Sequence, residues 1–179
     1  VGRNEPAVVT GKPISLGGSF GREEATGRGV MIMMREAGRD FGVPWQGGTA
    51  AIQGFGNVGS HLAVFLHEEG LKVIAVTDAM GGVHNEDGID IPALMRHATK
   101  HGTVAGFDSG DPLTNEELWR VRCDYMLPAA LGGVITKRDL LRIGRVRGAG
   151  RVRSLDLPDQ RLREHASAPL ELVGRTAKG

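Results

Sequence analysis

The sequence holds a single cysteine, Cys123. One thiol excludes an internal disulfide framework and suits a reducing compartment. No apolar run approaches the roughly 20 residues that a membrane-spanning helix needs. The first residues are polar and lack the apolar stretch of a signal peptide. A cytoplasmic protein without a membrane partner is therefore expected. Internal repeats and low-complexity tracts are missing too. The first residue is Val rather than Met, as expected of a fragment.

Two further absences concern the C-terminal stretch. Residues 138–179 contain no Phe, Trp, Tyr or Met, yet carry 9 Arg and 1 Lys against 5 acids, a net +5. Residues 1–137 carry 8 Arg and 4 Lys against 16 acids, a net −4, so the overall charge of +1 hides a split. The alternating Arg145, Arg147, Arg151 and Arg153 could touch nucleic acid electrostatically. Without aromatics for stacking, and with acids nearby, a solvated tail is the preferred reading and no nucleic-acid partner is expected. A third ligand is missing beside His97 and His101, four apart on a predicted helix, so no metal site is expected.

What is present is 179 residues, enough for one domain with a buried core, 40% apolar and rich in glycine at 28 residues. The chain is organised around residues 49–78, TAAIQGFGNVGSHLAVFLHEEGLKVIAVTD. A short apolar strand, Thr49 to Gln53, leads into Gly54-Phe55-Gly56-Asn57-Val58-Gly59. A helix follows with Val58, Leu62, Phe65 and Leu66 on one face, ended by Gly70. Lys72 to Thr77 is a second strand, and Asp78 closes it. This strand, glycine turn, helix, strand and acid form the dinucleotide-binding pattern. Gly54 is expected to allow the tight turn, Gly56 to let backbone approach a pyrophosphate, and Gly59 to let helix and strand pack closely. Free N–H groups at the helix start favour phosphate charge. Asp78 can accept from the ribose 2′- and 3′-hydroxyls.

Around this unit, residues 14–21 read as a glycine-rich loop. Residues 22–41 read as a helix with acids in its first turn and Val30, Met33, Met34 and Ala37 on its apolar face. Gly27 and Gly29 cost that helix roughly 1 kcal/mol each relative to Ala, which implies a backbone or ligand close by. Residues 79–88 suggest a turn or small hairpin, and 91–101 a helix capped by Gly102. Residues 103–113 look irregular. Thr114 caps a short helix over 115–122, and Cys123 to Leu127 reads as a buried strand, with Cys123 a small core residue. Alternating strands and helices predict an α/β, Rossmann-type, doubly wound and mostly parallel sheet, expected to be incomplete at its C-terminal end.

Five blocks occur in order: VTGKPISLGGSFGREEATGRGV, AIQGFGNVGS, TDAMGGVHNEDGIDIPAL, GTVAGF and DYMLPAALGGVIT. Together, over about residues 5–137, they closely resemble the cofactor-binding domain of glutamate dehydrogenase, within the Glu/Leu/Phe/Val dehydrogenase family. The resemblance implies oxidative deamination of L-glutamate to 2-oxoglutarate and ammonia, with a hydride passed to a nicotinamide. It also implies that Thr26 contacts the nicotinamide carboxamide and that Arg22 stands near the substrate carboxylate. Gly54 to Gly59 would hold the pyrophosphate, with N–H groups from Asn57 and Val58. Asp78 would bind the adenosine ribose, and Pro128, Ala129 and Ala130 would lie beside the nicotinamide ribose. Such enzymes are usually hexamers, so a homo-oligomer is expected of the complete enzyme. A leucine, valine or phenylalanine dehydrogenase fragment and a non-catalytic nucleotide-binding module are the alternatives.

Asp78 would repel a 2′-phosphate, and no Arg or Lys follows within six residues, so NAD is expected over NADP, with NADP possible. Two departures stand out. The family's catalytic lysine and aspartate belong to a substrate domain that this chain is expected to lack, so Lys12, Lys72, Lys100 and Lys137 receive no catalytic role, and the chain alone is expected to be inactive. The family pattern also stops near Thr136. The Arg-rich 138–179 is then expected to be an atypical, frameshifted or disordered tail following a dinucleotide-binding domain over 1–137.

Overall fold

The computed structural model describes residues 12–130 and 132. The boundary at 137, the residues that follow it and Lys137 lie outside these, so the expected tail is not described. After a 3-10 turn at Ile14–Leu16, the described elements are α1 (Ala25–Phe41), β1 (Thr49–Gln53), α2 (Asn57–Glu68), β2 (Lys72–Thr77), β3 (Gly82–His84), α3 (Ile91–His101), β4 (Asp111–Leu113), α4 (Asn115–Leu118) and β5 (Tyr125–Pro128). The strand order is β4-β3-β2-β1-β5. β1 pairs in parallel with β2 and β5, while β3 and β4 run antiparallel at one edge. The expected mostly parallel α/β sheet is therefore found.

The reason for β1 and β2 lies in their composition. TAAIQ and KVIAVT are almost continuously buried, as strands covered on both faces must be. Ile52, Leu62, Leu66, Ile91 and Leu94 are fully buried in one cluster beneath α1, α2 and α3. Each such side chain stabilises the fold by about 1.5–3 kcal/mol. The opposite face carries a smaller cluster of Ala51, Ala75 and Leu118. Tyr125 fixes β5 beneath α1: its ring meets Trp45 edge-on at 5.7 Å and its hydroxyl donates to Val43 O at 3.2 Å. Burial first, and then the charge of Asp124, raise the Tyr125 pKa above its ordinary value of 10.0.

Several local expectations change. α1 begins at Ala25, so Glu23 and Glu24 precede its first turn. Its buried face is Gly27, Met31, Met34 and Gly38, whereas Met33 is 70% exposed and Ala37 is exposed. The reason is close approach. A Cβ on Gly27 would meet Leu62 N at 2.9 Å, and one on Gly38 would run into the Tyr125 hydroxyl. The helix buries the side on which Gly27 and Gly38 alternate with Met31 and Met34, and the close approach at the two glycines, which hydrophobic spacing cannot reveal, selects that side. Gly29, with nothing near, is open to solvent.

β4, within a stretch expected to be irregular, contains Pro112, which an edge strand tolerates. In the stretch 79–88, expected to be a turn or small hairpin, β3 turns back to pair antiparallel with β2. α4 stops at Leu118, because Arg120 N and Val121 N donate three residues back to Glu117 O and Leu118 O and tighten the chain out of the α-helix. β5 starts at Tyr125 rather than Cys123, and Cys123 is only half-buried.

Candidate functional site

β1 has β2 on one side and β5 on the other, so the strand order reverses beside it. At such a reversal a crevice opens at the carboxyl ends of the strands, where open α/β sheets bind ligands. Here the crevice floor is Gly54 and the 128–130 segment. Ala129 N donates to Gln53 O at 2.7 Å, and Gly54 N donates to Thr77 O at 2.7 Å.

The three glycines of the turn meet three different requirements. Gly54 has φ +94°, and a Cβ there would meet Ala129 O at 2.7 Å and Ala130 N at 3.0 Å. A side chain on Gly59 would overlap Gly54 O, so α2 leaves the strand with helix and turn in contact. Gly56, the residue before α2, has nothing among the described residues within 4 Å of its Cβ direction. Its room faces an amino end that no side chain caps. The first N–H groups of α2 thus stay available beside open space, as a phosphate requires. Gln53 Oε1 and Thr77 Oγ1, paired in register at the same edge, are buried without a partner among the described residues. The open room at Gly56 and the N–H groups at the start of α2 fit a dinucleotide pyrophosphate.

The amino end of α1 is drawn to this place. Asn57 Nδ2 donates to Glu23 O at 2.8 Å, and Gly27 rests on α2 near Val58 O and Leu62 N. Thr26, exposed in the first turn of α1, is carried to the same junction. Arg22 is exposed in the preceding turn and makes no side-chain hydrogen bond or ion pair among the described residues. Phe55 packs its ring partly into the main core. Val58 is half-buried and Asn57 exposed at the helix start.

Asp78 closes β2 and is heavily engaged. Oδ1 accepts from Met80 N at 2.8 Å, and Oδ2 accepts from Thr103 Oγ1 and Val104 N, both at 2.7 Å. Its own carbonyl accepts from Asn115 Nδ2 at 2.8 Å. Thr103 and Val104 escape a sequence reading because they lie 25 and 26 residues away in a stretch without periodicity, and Asn115, which opens the expected short helix, lies 37 residues away. The GTVAGF block was the sole hint.

Of the lysines, Lys72 opens β2 at the end of the sheet opposite the crevice, and Lys100 stands in the last turn of α3. His97 lies 4.5 Å from His101 between ring centroids, and its Nε2 is 3.2 Å from Ala105 O. No group of three or more metal-ligating side chains exists among the described residues. Among them no helix is long and apolar enough to cross a membrane.

Known proteins match this chain on the same segment. The family model of Glutamate/Leucine/Phenylalanine/Valine dehydrogenase covers residues 17–147, ten residues past the expected boundary at 137. A glutamate dehydrogenase of Thermotoga maritima is 46% identical over 144 residues, 80% of this chain and 35% of the relative. The cryptic catabolic NAD-specific glutamate dehydrogenase GudB of Bacillus subtilis is 43% identical over 136 residues, 76% of this chain and 32% of the relative. The solved hetero-hexameric glutamate dehydrogenase of Thermus thermophilus, in its Leu-bound form, superposes with a TM-score of 0.71 at 30% identity, covering 77% of this chain and 32% of that one. The chain thus spans about a third of the length of the curated relatives it matches.

Proposed function

The chain belongs to the Glutamate/Leucine/Phenylalanine/Valine dehydrogenase family, and on that premise we propose that it is the nicotinamide-dinucleotide-binding part of a glutamate dehydrogenase. The whole reaction is oxidative deamination of L-glutamate to 2-oxoglutarate and ammonia. Glutamate is favoured over leucine, valine or phenylalanine because the relatives at 43–46% identity are glutamate dehydrogenases. The observation that carries the reading is the open room at Gly56 beside the uncapped start of α2, inside the β1–β5 crevice.

The bound dinucleotide supplies a hydride acceptor. Gly54, Gly56 and Gly59, with Phe55 in the turn, shape the backbone against the pyrophosphate, and the N–H groups of Asn57 and Val58 donate to it. Asp78 accepts from the adenosine ribose. Thr26, at the α1–α2 junction, and Pro128, Ala129 and Ala130, at the end of β5, orient the nicotinamide end. Arg22 attracts the substrate carboxylate. Lys72 and Lys100 stand away from the crevice, and we expect the chain alone to bind cofactor without turning over glutamate. The carboxylate of Asp78 favours NAD, with NADP as the weaker ligand. The complete enzyme is proposed to be a homo-oligomer; the Thermus thermophilus relative is a hetero-hexamer. Residues 1–137 are proposed as the binding domain.

The test is a fluorescence titration of the purified chain with NADH and NADPH, followed by an assay with glutamate and NAD. Saturable NADH binding that is tighter than NADPH binding, with no turnover, is expected. Absence of binding to either cofactor overturns the reading.

A further inference from the structure

The carboxylate of Asp78 is held more tightly than binding a ribose requires. A carboxylate offers about four acceptor positions. Three are taken, by Met80 N, Thr103 Oγ1 and Val104 N. Room remains for about one more donor, hence one ribose hydroxyl rather than two. The Thr103 hydroxyl is itself oriented, because it accepts from Ala105 N at 3.0 Å. With that lone pair engaged, its proton is directed at Asp78 Oδ2. Thr103 is thus the one side chain, among the described residues, that fixes where the Asp78 charge points.

We propose that Thr103 is a positioning residue for cofactor discrimination: it pins Asp78 so that the carboxylate meets the ribose 2′-hydroxyl and cannot swing away from a 2′-phosphate. The proposal rests on the reading of the crevice as a dinucleotide site. An acid free to rotate discriminates poorly, because it retreats from a phosphate at the cost of one torsion. An acid tied by charge-assisted hydrogen bonds loses them when it retreats. The preference for NAD then comes from the pair, not from the acid alone.

The test compares NADH and NADPH affinities of the full chain carrying Thr103→Val, Thr103→Ser or no substitution. Valine keeps the branched shape and removes the proton donor; serine keeps the donor. Loss of a hydrogen bond to a charged acceptor predicts an NADH affinity about tenfold lower in T103V. NADPH binding should change less, so the NADPH-to-NADH ratio of dissociation constants narrows. T103S should keep the ratio of the unsubstituted chain. A purely structural role would instead weaken both cofactors together and lower the unfolding midpoint without moving the ratio. An unchanged ratio in folded T103V overturns the proposal while leaving the dinucleotide site intact. An unsubstituted chain that binds neither cofactor overturns the site itself. Where T103V does not fold, T103A, which leaves space for a water, decides by the same ratio.

Discussion

Among the described residues, the amino ends of the four α-helices fall into two pairs. α3 and α4 satisfy their own first N–H groups. Asp90 Oδ1 accepts from Ala93 N at 2.8 Å, and Thr114 and Glu117 form a reciprocal capping box. α1 and α2 have no side-chain cap, preceded as they are by Glu24 and Gly56. These uncapped ends are also the two that meet, through Gly27 and the Asn57–Glu23 hydrogen bond. Unsatisfied donors cost a fold stability unless water or a ligand serves them. The chain accepts that cost at the crevice and removes it at α3 and α4.

Four substitutions would break or sharpen this contrast. Gly59→Ala should be the most damaging, since its methyl overlaps Gly54 O. We expect a loss of about 3 kcal/mol in urea unfolding, together with loss of cofactor binding. Gly56→Ala should separate the two effects, because the new methyl meets open space. Stability should stay within about 0.5 kcal/mol, while NADH affinity falls about tenfold. Unimpaired NADH binding in G56A would remove the pyrophosphate from this place. Thr114→Ala should show the reverse pattern, a stability loss of about 1 kcal/mol with the NADH dissociation constant unmoved.

The smallest effect concerns Glu117. Hydrogen bonds from the Thr114 side chain and backbone, in that order, lower its pKa below the ordinary 4.5. A carboxyl whose folded pKa is depressed adds stability above its unfolded value, and that addition is lost as pH falls through the folded value. Unfolding midpoints of the unsubstituted chain and of Glu117→Gln should therefore differ at neutral pH and converge in acid below 4.5. A difference independent of pH would show that the carboxylate charge is not what the box uses.

Much of this was legible residue by residue. The apolar, β-branched runs at 49–53 and 72–77 and the helix at 91–101 were expected with the bounds they have. So were the tight turn at Gly54 and the close approach at Gly59, since each follows from missing side-chain volume at a fixed place in a strand–turn–helix. Met33 and Met34 were not separable, because both are apolar neighbours and only the seat of Gly27 on α2 chooses between them. β4 was not visible, since three residues including a proline carry no alternation.

The sequence by itself determined the family, the parallel α/β framework and the placement of a glycine turn at Gly54 to Gly59. These rest on local spacing and on short-range volume constraints. Tertiary structure alone decided which face of α1 is buried, that its uncapped end meets that of α2, and that Asp78 is tied to Thr103 and Val104. Those outcomes depend on contacts between residues 25 or more positions apart, whose partners become neighbours only once the sheet has ordered its strands.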